Sequence, residues 1–160
     1  MGVSEILSTQ QVSVANAIEG RVLGKADALK RLSVLLANGQ RQVPAAEIEQ
    51  VLIEREKLHS TGVGDGVAIP HGAVDRLEKL VGAVLLCPEP VDFDALDGAP
   101  VSIFFAVIGP KRATGEHLKT LARISRLLRA NGFRDRLIHA PSGGAAFELI
   151  AAEEGRGEAP

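Results

Sequence analysis

Two uninterrupted apolar runs constrain the fold of this chain more than any other feature. Leu80–Cys87 is followed by Pro88-Glu89-Pro90, and Val101–Ile108 is followed by Gly109-Pro110. A short run without polar alternation, closed by proline or glycine, is typical of a strand that is buried on both faces. Both segments are therefore predicted to be strands, the first ending before Pro88 and the second central in a sheet.

Helical patterns alternate with these strands. The predicted helices cover Lys25–Ala37, Pro44 to about Leu58, Thr114 to about Ala130, Phe133–His139 and Ser142 to about Glu153. In most of them apolar residues recur three and four positions apart, which gives a helix one apolar face. In the third helix, Thr114 is the expected N-cap and Leu118 is expected to face the core. Weak alternation over 12–18 and the apolar run Val67–Ile69 predict two short strands.

The alternation of strands and helices predicts a single α/β domain over residues 1–160. Its core is expected to span about 8–152, with 154–160 as a frayed tail. The two adjacent helices before the glycine-rich segment favour a mixed sheet over a strictly alternating one.

Composition argues against several classes of function. Aromatic residues make up 3% of the chain and the net charge is −2, so neither base stacking nor a basic field favours nucleic-acid binding. The lone Cys87 excludes an internal disulfide and a Cys-x-x-Cys metal site, and its apolar run predicts a buried thiol. The amino-terminal residues do not resemble a signal peptide, and no apolar stretch has membrane-spanning length. A cytoplasmic protein that is not embedded in a membrane is expected.

The tripeptide Pro70-His71-Gly72 is the clearest candidate site. It follows the glycine-rich segment Ser60–Ile69. Proline fixes φ and removes a donor, and glycine frees the backbone, so His71 is not expected in a helix. The histidine would then lie at a strand end beside a glycine-rich loop, where ligands collect in α/β folds. The alternative is an ordinary surface histidine next to a turn.

Two further residues fit an anionic ligand. His117 lies in the first turn of the third predicted helix, where free N–H groups and the helix dipole favour anions. Arg55 precedes the glycine-rich segment and carries a guanidinium fork that suits a phosphoryl group. The alternatives are a surface histidine and a surface ion pair between Arg55 and its neighbouring glutamates. Together with His71, these residues suit phosphoryl transfer, and no metal or cofactor site is evident.

The chain also carries a recognisable set of motifs. They are Arg55-Glu56-Lys57, Ser60–Gly64, Val67–Gly72, Pro90–Val101, Phe104–Pro110 and Glu116-His117-Leu118. Together they resemble the IIA type-2 domain of the phosphoenolpyruvate phosphotransferase system, a family that includes the mannitol/fructose IIA domains and nitrogen-regulatory proteins. The likeness covers nearly the whole chain.

The resemblance implies a mixed sheet flanked by helices on both faces. It also implies that His71 is phosphorylated by a small HPr-like phosphocarrier, with no metal and no cofactor. The residues expected to contact the phosphoryl group are His117, Arg55, Ser60, Thr61 and Gly62.

The glycine-rich segment and the residues around His71 look most like the nitrogen-regulatory branch. That branch implies a phosphocarrier whose phosphorylation state controls protein partners such as kinases or transporters. Ala73 departs from the lysine that many members of that branch have there. The alternative is a sugar-specific fructose or mannitol IIA component that passes phosphate to a separate IIB protein.

Overall fold

The computed structural model describes residues 2–16, 20–130 and 132–158. Its helices are α1 Lys25–Ala37, α2 Ala45–Leu58, α3 Thr114–Arg129, α4 Phe133–Ile138 and α5 Gly143–Glu158. Its strands are β1 Val12–Val14, β2 Gly62–Gly64, β3 Val67–Ala68, β4 His71–Ala73, β5 Val81–Val91 and β6 Val101–Gly109. The strand predicted over 12–18 is thus shorter, and 17–19 lie outside the described residues.

The strands form one mixed sheet in the order β1-β5-β6-β3-β2, with β4 also paired to β6 beyond the end of β3. The long strands β5 and β6 are antiparallel, whereas β1 runs parallel to β5 and both β3 and β4 run parallel to β6. The predicted mixed α/β fold is confirmed. Strand β6 is central, as its continuous apolar sequence predicted, because β5 covers one edge and β3 and β4 share the other.

Helices cover both faces of the sheet, and each face has its own core. Phe104 belongs to the cluster that includes Leu32 of α1 and Leu52 of α2, whereas Phe105 belongs to the cluster with Ile124 of α3 and Phe133 of α4. Successive residues of a strand point to opposite faces, which explains why two adjacent phenylalanines serve two cores. Each is essentially fully buried, so truncation of either to alanine would cost about 3–5 kcal/mol.

Strand β5 does not end at Cys87 as predicted. It continues through Pro88-Glu89-Pro90 to Val91, and its pairing with β6 is irregular between Leu86 and Val91. Proline cannot donate to a ladder and is tolerated at bulges, and these residues are exposed. Cys87 itself is buried as expected, and burial raises the pKa of its thiol to about 12.

Helix α3 begins at Thr114, but Thr114 is not its cap. Its hydroxyl donates to the Lys111 carbonyl, and the helix is preceded by Ala113 without a side-chain cap. Leu118 is also not in the core, since it is 63% exposed. At 100° per residue, Leu118 lies about 120° from Ile124 around the helix, whereas His117 lies about 20° from it. The same helical phase therefore turns Leu118 outward and His117 toward the sheet.

The carboxyl-terminal helix is longer than predicted. Ser142 accepts a hydrogen bond from the Ala145 N–H at 3.1 Å, as a capping residue does, but α5 extends to Glu158 instead of ending near Glu153. Glu154 lies within this helix and accepts hydrogen bonds from the N–H groups of Val3 and Ser4. This contact joins the two ends of the described chain.

Candidate active site

His71 is the first residue of β4. The preceding strand β3 ends at Ala68, and the Pro70 carbonyl accepts a hydrogen bond from the Val107 N–H at 3.0 Å. His71 then lies opposite Val107 in the parallel pairing with β6. The histidine was expected at the end of a strand; it instead opens a second short strand that continues along the same edge of β6.

The imidazole of His71 is oriented by its own backbone. Its Nδ1 lies 2.8 Å from the Ile69 carbonyl oxygen. Because a carbonyl oxygen only accepts, Nδ1 carries the proton and the lone pair lies on Nε2. Burial lowers the pKa of His71, and the charge of Arg55 lowers it further, whereas the Ile69 bond and the charge of Glu56 raise it. The ring is therefore neutral at pH 7, with Nε2 in its nucleophilic form.

The second histidine lies beside the first. The ring centroids of His71 and His117 are 6.2 Å apart with planes 74° from parallel. His117 hydrogen-bonds the Val107 backbone, and its Nε2 is buried without a partner among the described residues, so that bond is made by Nδ1. Burial, and then the charge of His71, lower the pKa of His117. A buried polar atom nearly always has a partner, so the open Nε2 marks a place for a ligand atom.

Arg55 lies in the last turn of α2 and is half-buried. Its Nη1 donates to the His59 carbonyl at 3.1 Å, which uses one of the five guanidinium N–H groups. Neither flanking glutamate is described in an ion pair with it, since Glu54 accepts from Gln50 and Glu56 pairs with Lys25. The structure thus brings His71, His117 and Arg55 to one region, and Arg55 is close enough to lower the pKa of His71.

The loop residues Ser60, Thr61 and Gly62 donate hydrogen bonds within the protein, and the Ser60 hydroxyl donates to the Phe93 carbonyl at 3.4 Å. Thr61 donates both its N–H and its hydroxyl to Glu56, and the Gly62 N–H donates to the Ser60 Oγ at 3.0 Å. A phosphoryl oxygen would have to replace one of these acceptors. Phosphate binding by these three residues stays a prediction.

Glu56 is the residue that the sequence analysis missed. It was treated only as a possible ion-pair partner of Arg55, yet it is 6% exposed and pairs with Lys25. A signal was available, because Glu56 continues the four-residue spacing of Ile48 and Leu52, both of which are buried. A carboxylate on the buried stripe of a helix needs partners.

An apolar rim lies along the chain segments that carry the site. We define it by four exposed side chains: Leu58, Val63, Leu96 and Leu118. Leu118 follows His117, Leu58 is one helical turn beyond Arg55, and the Leu96 N–H donates to the Gly62 carbonyl at 3.1 Å. Their position on the segments that carry the site makes these four side chains a candidate surface for contact with other proteins.

Comparison with known proteins agrees with this arrangement. The family model for EIIA 2 of the phosphoenolpyruvate-dependent sugar phosphotransferase system matches residues 8–153. The chain belongs to this family. It is 42% identical over 122 residues to the nitrogen regulatory protein of Pseudomonas aeruginosa, covering 76% of this chain and 79% of that protein.

Two further proteins are similar to this chain. The nitrogen regulatory protein IIA-Ntr of Neisseria meningitidis superposes with a TM-score of 0.82 at 34% identity, over 92% of this chain and 98% of that one. The fructose-specific EIIA component of Haloferax volcanii is 35% identical over 100 residues, 62% of this chain and 65% of that protein. No helix among the described residues is long and apolar enough to cross a membrane.

Proposed function

We propose that this EIIA protein is a nitrogen-regulatory phosphocarrier. It accepts a phosphoryl group on Nε2 of His71 from a phosphorylated HPr-like carrier, and its phosphorylation state controls its protein partners. The observation that carries the proposal is the pair of imidazoles: the Ile69 carbonyl holds Nδ1 of His71, and Nε2 of His117 is buried without a partner among the described residues. The names of the relatives from Pseudomonas and Neisseria support the regulatory branch.

The transfer step follows from the ring orientation. Nε2 of His71 attacks the phosphorus, a new P–N bond forms, and the electron pair of the breaking P–N bond returns to the ring nitrogen of the carrier. Each ring keeps the N–H on its other nitrogen, so no proton passes between the two reacting rings. Positive charge develops on the His71 ring as the bond forms, and the Nδ1–H bond to Ile69 stabilises it.

Arg55 and His117 supply the charge that the moving group needs. The phosphoryl group in transit spreads negative charge over its equatorial oxygens. Because Nδ1 of His117 is committed to Val107, Nε2 donates to an oxygen only when the ring holds a second proton. The arriving dianion favours that protonation, so His117 is expected to gain a proton as His71 gains the phosphoryl group.

The regulatory output follows from the position of the new charge. A phosphoryl group adds roughly −1.5 to −2 charge at neutral pH, here beside an apolar rim. Burying that charge in an interface is costly, so partners are expected to bind the unphosphorylated form more tightly.

Pull-down experiments test the regulatory role. Wild type and His71→Ala should recover the same partners from a lysate, and His71→Asp, which mimics the charge, should recover markedly less of them. Equal recovery by all three variants would count against a binding switch.

The sugar-specific alternative rests on the similarity to the fructose-specific EIIA component and on Ala73. It predicts that the phosphorylated protein loses its phosphoryl group rapidly to a purified fructose- or mannitol-type IIB protein. Slow transfer to IIB, together with a phosphorylation-dependent pull-down, favours the regulatory function.

A further inference from the structure

The carboxylate of Glu56 fills the gap between the end of α2 and the glycine-rich loop. Its side chain is 4% exposed. One oxygen lies 3.0 Å from the Thr61 N–H nitrogen and 3.0 Å from Lys25 Nζ, and the other accepts from the Thr61 hydroxyl. Burying an ionised carboxylate is costly unless it is paired and hydrogen-bonded, and Glu56 meets both conditions.

Lys25, the counter-ion, is itself held in place. Its Nζ lies 5.0 Å from the centroid of the Phe93 ring and 3.8 Å from an oxygen of Asp94. Lys25 is the first residue of α1 and Glu56 lies near the end of α2, so the ion pair joins the start of one helix to the end of the other. Glu56 therefore has a fixed position from which it can hold the loop.

Two more hydrogen bonds continue from Thr61 to the reactive ring. The Thr61 carbonyl accepts from the Ile69 N–H at 2.9 Å, and the Ile69 carbonyl accepts from Nδ1 of His71 at 2.8 Å. The loop is closed on its other side as well, because a Cβ on Gly62 would lie 2.7 Å from the Ala95 Cβ. The carbonyl that sets the His71 tautomer is thus tied to a residue that Glu56 holds.

We propose that Glu56 is a positioning residue for phosphoryl transfer. It fixes Thr61, and through Thr61 the Ile69 carbonyl, so that His71 keeps its proton on Nδ1 and presents Nε2 to the incoming phosphorus. This deepens the function proposed above and rests on it for the kinetic consequence, but the effect on the His71 ring is independent of any carrier. The chain of hydrogen bonds that runs from Glu56 to Thr61, from Thr61 to Ile69 and from Ile69 to His71 makes this more than an effect on stability.

The experiment compares Glu56→Gln with Glu54→Gln, a matched change on the same helix at an exposed position whose described bond is to Gln50. NMR of protein labelled with 15N-histidine reports which ring nitrogen of His71 carries the proton. Wild type and Glu54→Gln should show the proton on Nδ1. In Glu56→Gln a substantial Nε2–H population should appear. The neutral amide has one acceptor oxygen where the carboxylate uses two at Thr61, and it loses the attraction to Lys25.

Transfer kinetics from the phosphorylated carrier give the second readout. For Glu56→Gln, kcat should fall about 10- to 100-fold, as expected for misplacement of a reacting group. KM for the carrier should change less than about twofold, since the apolar rim is untouched. Glu54→Gln should match wild type in both constants.

A folded Glu56→Gln protein with the wild-type tautomer and kcat would overturn the proposal. If that variant does not fold, Thr61→Val decides: it removes the hydroxyl bond at similar volume and should shift tautomer and kcat in the same direction, by less. An unchanged Thr61→Val protein would equally overturn it. If wild type itself accepts no phosphoryl group, the proposed function fails, while the tautomer measurement still tests Glu56.

Discussion

Nε2 of His117, which is buried and has no partner in the part of the chain that the structure describes, gives the sharpest test of how the site handles charge. His117→Ala removes this nitrogen from a position where the two histidine ring centroids are 6.2 Å apart. Loss of one group that stabilises the charge of the transition state costs on the order of 10²-fold in rate, which is about 2.7 kcal/mol. Phosphoryl transfer to His71 should slow by that factor.

The assay is single-turnover transfer from the phosphorylated carrier, followed by rapid quenching in base, where phosphohistidine survives. His59→Ala is the matched control, because it removes an exposed imidazole and keeps the backbone carbonyl that accepts from Arg55. A thermal melt should show that both variants fold. A folded His117→Ala protein that transfers at the wild-type rate would refute the assignment of His117.

His117→Gln refines the same prediction. Its amide presents a neutral N–H donor, so it should recover part of the lost rate. It should also lose the pH dependence that protonation of His117 contributes, since an amide does not titrate in this range. A His117→Gln protein as slow as His117→Ala would show that the added positive charge, and not the hydrogen bond, is what the transfer needs.

Three more predictions concern the same region. Arg55→Ala should slow transfer by about 10²-fold with an unchanged fold. Burial lowers the pKa values of His71 and His117 below 6.5, so the unfolded chain binds more protons than the folded protein as the pH drops. The free energy of unfolding should therefore be full above pH 6.5 and fall as the pH drops toward the folded pKa values. Thermal melts should show a smaller fall for the double variant His71→Ala/His117→Ala. Leu118→Asp should raise KM for the carrier several-fold without lowering the melting temperature, because this side chain is 63% exposed.

Two of these predictions have a matched control variant in the chain. Lys57→Ala removes an exposed cation from the same last turn as Arg55 and should leave transfer unchanged. Val34→Asp places a charge at a similarly exposed apolar position on α1 and should leave KM unchanged. If Val34→Asp raised KM as much as Leu118→Asp, the apolar rim would not be the docking surface.

The elements with strong local signals were predictable from the sequence. Strand β6 and helix α1 have the predicted positions because an apolar run closed by Gly-Pro, and an apolar face closed by Asn-Gly, are determined by nearby residues. Strand β5 extends beyond its predicted end because Val91 pairs with Val101. The prolines near Val91 in the sequence do not predict that contact. Leu118 was misplaced because its helical phase depends on which face meets the sheet.

The site residues were predictable as chemical types but not as a geometry. Val107 joins the two histidines: its N–H fixes Pro70, its position lies opposite His71, and its backbone bonds His117. That arrangement depends on the pairing of β4 with β6, which no local pattern contains. The partnership of Glu56 with Lys25 is equally non-local, since the two residues lie on different helices.

Mapping of the phosphoryl group tests the central claim most directly. The protein is incubated with the phosphorylated HPr-like carrier, digested at alkaline pH and analysed by mass spectrometry, with His71→Ala in parallel. We predict one modified residue, His71, with a phosphoryl group that is lost in acid and retained in base, and no modification of His71→Ala. A phosphoryl group that persists in His71→Ala, or one on wild type that resists acid, would contradict the account.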